Sequence, residues 1–188
     1  AVGRDEGRFA PNHSVTTCLF SNGAFADYAG MATPELGQPF WRHYGGYWTA
    51  PIPSRLPAIG LLGFRGRNAN WNGIPLPFDL GPLGAPGCAL ATSIALTAPL
   101  QEVAPGSYAW PTFAIPNDPA IYDGTFYEQA LFVEPSANAL GLVLSNSMAF
   151  TIRSGDRPRT VAESAIPSVI VFTGRWCDPS PSGAALAS

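Results

Sequence analysis

The stretch TFYEQALFVE (125–134) carries the clearest strand signal in the chain. Its even-numbered positions include Phe126 and Phe132 together with Glu128 and Glu134, whereas its odd-numbered positions include Tyr, Leu and Val. Side chains of a β-strand point alternately to opposite faces, so apolar residues at both parities predict a strand that is largely buried on both sides. The surrounding segment 116–152 is typical of two strands, each preceded by a turn.

Short runs of the same kind recur along the chain, and Pro, Gly and Asn separate them. No window shows sustained helical spacing of apolar residues. The predicted strands are SVTTCLF (14–20), FWRHYGGYWTA (40–50), AIGLLGF (58–64), CALATSIALTA (88–98), SYAWPTFAI (107–115), TFYEQALFVE (125–134), LGLVLSNSMAFTI (140–152) and SVIVFTG (168–174). This series of short strands predicts an all-β fold, an antiparallel β-sandwich that is jelly-roll-like and has extended terminal arms.

The run 88–98 presents two unequal faces if it forms one strand. One parity carries Cys88, Leu90, Ile94 and Leu96, whereas the other carries three Ala and one Thr. A face of small residues suits a closely packed neighbouring surface, although a weakly exposed face would have the same composition.

The composition is unusual in its low share of charged residues, but it favours a globular domain over a disordered or membrane-spanning chain. Hydrophobic residues reach 46% and charged residues only 12%, so there is enough apolar material for a core. All ten basic residues are Arg and the net charge is −3, which predicts no nucleic-acid partner. No apolar run approaches the roughly 20 residues that span a bilayer. The start Ala1-Val2 is expected of a mature chain whose leader was removed, and we expect an extracellular or cell-surface protein.

The chain has three cysteines, Cys18, Cys88 and Cys177, and none belongs to a CxxC pair. With only two His in the chain, a structural zinc site is not expected. An odd number leaves three possibilities: one disulfide and a free thiol, one disulfide and an intermolecular link, or no disulfide. In a secreted protein, one disulfide is the expected arrangement.

Two segments resemble a known family. GRNANWNGIPLPFDLGPLGAPGC (66–88) and IPNDPAIYDGTFYEQALFVEPSANALGLVLSNSMAFTI (115–152) are similar to a β-sandwich module of secreted planctomycete and myxobacterial proteins. The resemblance extends from about Cys18 to Ile152. It implies a secreted bacterial β-sandwich, a disulfide between Cys18 and Cys88, and a packing role for the motif around Trp71. It implies no catalytic residues.

The residues give no independent sign of an enzyme. A Ser-His-Asp or Cys-His site would need His13 or His43, and no GxSxG motif is present. Glu128 and Glu134 share a face of one strand but stand about 20 Å apart along it, whereas the carboxylates of glycosidases are about 5–10 Å apart. We therefore expect no enzymatic activity and no cofactor.

The turn at 117–123 carries the candidate ligands of a calcium ion. Asp118 and Asp123, with Asn117, flank a turn and could supply oxygen ligands to calcium, although Asn and Asp also cap turns at such positions. We expect no other metal site.

A sugar-binding surface would draw on exposed aromatic rings and on amides that can bind hydroxyl groups. The residues of this kind are Trp41, Trp48, Trp71, Asn70 and Asn72, with Tyr44 and Tyr47 beside them. They predict a polysaccharide as a possible ligand.

The last predicted strand lies beyond the family-like module. We divide the chain into an N-terminal arm (1–17), a β-sandwich module (18–152), and a C-terminal strap with a candidate donor strand (153–188). The strap 153–167 can reach up to about 50 Å when extended. Left in water, an apolar strand of this kind favours aggregation, so it must pair with a sheet.

The strand could complete its own sandwich or that of a neighbouring copy. Because the module resembles a complete domain, we expect donation to a neighbour, which produces an open head-to-tail polymer. The predicted self-assembly strand comprises Ser168, Val169, Ile170, Val171, Phe172 and Thr173. Ile170 and Phe172 would point into the acceptor core.

Two functions therefore stand as hypotheses from the sequence. The first is a structural subunit of an extracellular bacterial filament, with itself as partner in a head-to-tail homopolymer. The alternative is a secreted, monomeric carbohydrate-binding module. The size of the protein in solution separates them.

Overall fold

The computed structural model describes residues 18–46 and 50–154 of the 188-residue chain. The strands are β1 (Ala26–Met31), β2 (Pro39–Phe40), β3 (Arg42–Gly46), β4 (Ala58–Gly63), β5 (Asn70–Trp71), β6 (Ile74–Pro75), β7 (Phe78–Asp79), β8 (Ala89–Leu90), β9 (Leu96–Pro99), β10 (Gln101–Ala104), β11 (Ser107–Ala109), β12 (Phe113–Ala114), β13 (Thr125–Val133), β14 (Leu142–Leu144) and β15 (Met148–Thr151). Two 3₁₀ turns, Gly81–Leu83 and Pro119–Ile121, are the only helical elements of these residues. The predicted all-β class is confirmed.

Two antiparallel sheets form the body of the domain. The first sheet has the strand order β1-β3-β11-β10, and the second has the order β14-β13-β4-β9. Strand β15 also pairs with β13, so β14 and β15 pair with successive halves of that strand. The inner faces of the two sheets pack on each other through Tyr108 of β11 and Phe132 of β13, whose ring centroids are 5.2 Å apart. The predicted antiparallel β-sandwich is therefore confirmed.

Strand β13 is the centre of the second sheet, as its apolar composition predicts. It pairs with β4 along one edge and with β14 and β15 along the other. Its even-numbered residues from Phe126 to Phe132 are buried, and Gln129 on the opposite face is buried too. The remaining odd-numbered apolar side chains are half-buried.

Aromatic side chains fill much of the core between the sheets. Phe40 makes edge-to-face contacts with Phe126 and Phe150, at centroid separations of 5.7 Å and 5.1 Å. Trp110 lies against Gly60 of β4, where a Cβ atom would come within 2.1 Å of its ring. A side chain at Gly60 would therefore displace the indole from the core.

Several strand boundaries differ from the prediction. The run 88–98 is not one strand, because β8 pairs with β7 in a separate two-stranded sheet whereas β9 pairs with β4. Between them, the backbone N–H of Ser93 donates to the carbonyl of Arg65 at 2.8 Å. Residues 18–20, the described part of the predicted strand 14–20, are not in a strand. Strands β1 and β10 were not predicted, since their sequences are rich in Ala or charged residues and long-range pairing alone specifies them.

Cys18 and Cys88 form a disulfide, as the family resemblance implies. The bond joins the start of the described chain to the residue before β8, across a sequence separation of 70. In the chain-entropy model a loop of this length contributes about 4 kcal/mol to the free energy of unfolding. Next to it, the backbone N–H of Leu144 lies 3.1 Å from the Cys18 sulfur.

Predictions on the remaining residues fall outside the described ranges. They concern the N-terminal arm (1–17) with His13, the aromatic pair Tyr47 and Trp48, the strap from residue 155, and Cys177. Within the described ranges, no helix has the length and apolar character required to cross a membrane.

Candidate functional site

Strand β9 is an edge of the second sheet. It pairs with β4 on one side, with Leu62 opposite Leu96 and Gly60 opposite Ala98, and it is the last strand in the sheet order. The backbone N–H of Ala95 donates to the carbonyl of Leu62 at 2.8 Å. The backbone N–H of Leu100 donates to the carbonyl of Ala58 in the register of this strand pair. Because hydrogen-bonding groups alternate along a strand, those of Leu96 and Ala98 point to β4, and the N–H and C=O of Thr97 point away from it.

Apolar side chains are exposed along this edge. Leu96 lies opposite Leu62, a core residue, so its side chain is on the inner side of the sheet, yet it is 54% exposed. Phe64, the first residue after β4, is 69% exposed. No charged residue occurs between Arg67 and Glu102 except Asp79, so β9 carries no charge. We call Phe64, Leu96, Thr97 and Ala98 the β9 edge.

Edges of this kind are usually protected in monomeric proteins by charges, bulges or a covering segment. Pro99 ends β9 and limits the edge to a short stretch, after which the chain turns at the buried Leu100 into β10, the edge of the first sheet. On the other side of the sandwich a hydrogen bond connects the two sheets: the backbone N–H of Asn146, between β14 and β15, donates to the carbonyl of Ala26 in β1. The β9 edge is therefore suited to accept an additional strand.

A buried ion pair connects the two sheets behind this edge. Arg42 of β3 and Glu128 of β13 are both fully buried, and their side chains contact each other through Nε and Nη2 of the guanidinium and both carboxylate oxygens. Three aromatic rings surround the Arg42 guanidinium, at 4.1 Å from the Trp110 ring, 4.7 Å from Phe40 and 4.8 Å from Phe113. Cation–π attraction offsets part of the cost of burying the cation.

The carboxyl group of this pair has a perturbed pKa. Burial raises the pKa of Glu128 to about 8, although the Arg42 guanidinium acts in the opposite direction. The folded state consequently holds a proton on Glu128 at pH values where the unfolded chain has already released it.

We expect the stability of the wild type, relative to Glu128→Gln, to fall as the pH rises from about 5 to 8. Glu128 must lose its proton in a buried site over this range, whereas Gln does not titrate. The slope for a single proton is at most about 1.4 kcal/mol per pH unit. Urea unfolding of both proteins at pH 5, 6, 7 and 8 measures it.

The comparison with the variant isolates Glu128 from other groups. Burial lowers the pKa of His43, which makes stability rise with pH near its titration in both proteins and therefore cancels in the difference. A difference between the two proteins that is constant from pH 5 to 8 would show that Glu128 does not titrate in this window.

The residues predicted to bind sugar do not form one site. Trp41 lies between β2 and β3, is 38% exposed, and packs on His43 at a centroid separation of 5.4 Å. Trp71 is half-buried in the separate β5–β6 hairpin, with Asn70 and Asn72. Within the described residues no ring contact joins the two tryptophans.

The weak calcium candidates are engaged in other contacts. Asp118 caps the second 3₁₀ turn, since its carboxylate accepts the N–H of Ala120 at 2.9 Å. Asp123 faces Arg153, with 3.4 Å between the nearest charged atoms. In the described ranges no group of three His, Cys, Asp or Glu side chains could hold a metal ion. The structure therefore gives Asp118 the turn-capping role that the sequence offered as the alternative.

The most distinctive features of the described residues were missed by reasoning from sequence. Arg42, Phe64 and Leu96 were parts of predicted strands without a role, and Glu128 was considered only as half of a carboxylate pair. A usable signal was present for the ion pair, because Arg42 and Glu128 are charged residues at positions where their strands are otherwise apolar. No comparable pattern in the sequence indicates that β9 lies at the edge of its sheet.

Comparison with models of known protein families and with curated proteins finds no match to this chain. The similarity to the secreted β-sandwich module stays a prediction. The fold and the disulfide define the chain as a disulfide-linked antiparallel β-sandwich.

Proposed function

We propose that the protein is a structural subunit of an extracellular bacterial filament, in which each copy donates its C-terminal strand to the next. The observation that carries the proposal is the β9 edge, an uncharged sheet edge with the inner-side residue Leu96 exposed and with Phe64, the residue after β4, also exposed. The donor is the segment Ser168–Thr173, which lies outside the described residues. Pairing it with β9 would cover the Leu96 side chain and satisfy the outward backbone N–H and C=O groups of Thr97.

The length of the strap fits donation to a second copy. Residues 155–167 connect the described chain to the donor and can span about 45 Å. In the second sheet, β15 is separated from β9 by β13 and β4, a distance of about 15 Å at the usual strand spacing. The extended strap is about three times as long as the distance from β15 to β9, so it can extend beyond its own sandwich. The Cys18–Cys88 disulfide is compatible with an oxidising, extracellular environment.

Complementary variants test strand donation. The acceptor variant Leu96→Lys places a charge on the β9 edge, and the donor variant Ile170→Asp/Phe172→Asp makes the donated strand polar. We expect the wild type to sediment as a polymer and each variant alone as a monomer. An equimolar mixture of the two should form a dimer, because one intact donor and one intact acceptor remain and permit a single junction.

The control is Leu83→Lys, which charges an equally exposed leucine on the first 3₁₀ turn and should polymerise as the wild type does. A wild type that is monomeric at all concentrations would contradict the proposal. A mixture that stays monomeric would do the same, and destabilisation of the monomeric donor variant would then assign the strand to its own sandwich.

The second hypothesis, a monomeric carbohydrate-binding module, draws on the exposed hairpin around Trp71. In either case we expect no catalytic activity, and the partner is another copy of this chain or a polysaccharide.

A further inference from the structure

Backbone hydrogen bonds close the base of the β5–β6 hairpin. The backbone N–H of Asn68 donates to the carbonyl of Leu76, and the N–H of Leu76 donates to the carbonyl of Ala69, both at 2.9 Å. The tip is an Asn72-Gly73 turn in which both residues have positive φ, 52° and 86°, as a tight hairpin turn of type I′ requires. The hairpin therefore has a defined shape.

Two contacts attach this hairpin to the second sheet. Gly66 packs on the ring of Tyr127, where a Cβ atom would come within 2.3 Å of the ring. Ser93 exchanges hydrogen bonds with Arg65: its N–H donates to the Arg65 carbonyl and its hydroxyl accepts the Arg65 N–H, at 2.8 Å and 3.1 Å. The side chains on the hairpin are thus presented from a fixed support, which lowers the entropy cost of binding a ligand.

Two arginines lie in the segment that leads into the hairpin, and no acidic side chain pairs with them within the described residues. Arg65 and Arg67 are exposed, and neither forms an ion pair within the described part of the chain. The sequence contains no Asp or Glu between Glu35 and Asp79, although the whole chain has a net charge of −3. Nη1 of Arg65 donates to the carbonyl of Asn70 at 3.0 Å, which holds the guanidinium beside the hairpin with its other N–H groups directed to solvent.

The neighbouring side chains supply polar and aromatic contacts. Asn68 and Asn72 are exposed, and the carboxamide oxygen of Asn70 accepts the N–H of Gly73 at 2.8 Å, so its amide N–H groups are available to a ligand. Trp71 between them is half-buried and offers part of its ring. An indole ring can cover the apolar face of a sugar, and amides can bind hydroxyl groups.

We infer that the segment 65–75 is a binding site for an acidic polysaccharide, that is, a chain of sugars that carry carboxylate groups. A guanidinium group pairs with a carboxylate through two parallel hydrogen bonds, which explains exposed, unpaired Arg beside a sugar-sized aromatic and amide surface. This inference is independent of strand donation, because the hairpin is formed within one copy.

Affinity electrophoresis in native gels tests the assignment, with polygalacturonate as the acidic chain and dextran as the neutral one. We expect polygalacturonate to retard the protein, dextran to have no effect, and retardation to weaken as salt is added. The variant Arg65→Gln/Arg67→Gln should raise the apparent dissociation constant at least about tenfold, since it removes two charge-assisted contacts. The monomeric variant Leu96→Lys should bind as the wild type does.

The charge-matched control is Arg55→Gln/Arg153→Gln. Arg55 precedes β4, whereas the hairpin follows it, and Arg153 forms a surface ion pair of little energetic weight. Equal weakening by the control pair would show general charge attraction and overturn the site. An absence of retardation by polygalacturonate, or equal binding of dextran, would also overturn the site. Equal retardation by single-stranded DNA would overturn it too and would assign the hairpin to nucleic acid.

Discussion

Replacing Glu128 by Leu is expected to lower the free energy of unfolding by about 3–5 kcal/mol, because it leaves the buried Arg42 cation without the carboxyl oxygens that accept its hydrogen bonds. Arg42 is fully buried, and a guanidinium group does not lose its proton in proteins. The three aromatic rings around it offset only part of the missing attraction. Urea unfolding at pH 6, followed by tryptophan fluorescence, measures the loss.

The reciprocal variant should be milder. In Arg42→Met, Glu128 keeps its proton at pH 6, since burial raises the pKa of Glu128 to about 8 even with Arg42 present. We expect a loss below about 2 kcal/mol. The double variant Arg42→Met/Glu128→Leu should recover most of the stability lost by Glu128→Leu alone. Equal losses in the two single variants would contradict this asymmetry and indicate that the pair is ionised at pH 6.

Replacing Gln129 by Met is expected to lower the free energy of unfolding by about 3–5 kcal/mol, because two buried backbone groups and one half-buried backbone group lose their partner. The Gln129 side chain accepts the N–H of Ala91 and donates to the carbonyls of Ala89 and Ser145, at 3.0, 2.9 and 2.8 Å. It thereby attaches the segment around β8 to the outer face of the second sheet. Methionine has a similar size but makes none of these bonds.

A control at the start of the same strand separates this effect from a general loss of polar groups. Thr125→Val removes an exposed hydroxyl contact with Thr151 and should change stability by no more than about 0.5 kcal/mol. Hydrogen exchange adds a second measurement, since the N–H of Ala91 should lose protection in Gln129→Met. A variant as stable as the wild type would contradict the structural role of this amide.

The segments that carry the family resemblance owe their residues to architecture in this structure. Gln129 holds β8, and the Asn138 side chain both donates to the carbonyl and accepts the N–H of Leu142 in the turn before β14. The Asp79 carboxylate accepts the N–H of Gly81 at the first 3₁₀ turn, at 2.8 Å. These three side chains thus have structural roles. The β9 edge and the β5–β6 hairpin are the surfaces for which we propose partners.

Local patterns predicted the parts of the fold that depend on local properties. The apolar residues at both parities of 125–134 predicted the central strand β13, and the Pro and Gly spacing predicted an all-β sandwich. The pairing of Cys18 with Cys88 required the family resemblance, because three cysteines allow several arrangements. The predicted donor strand and its strap stay predictions.

By itself, the sequence determined the class of fold and the position of its most buried strand, because strand periodicity and turn residues act over a few neighbouring positions. Only the tertiary structure decided which strand forms the sheet edge and that Arg42 meets Glu128. These features join residues that are distant in the chain or depend on which strand has no further neighbour. Such pairings are selected by the packing of the whole core, and no short stretch of sequence encodes them.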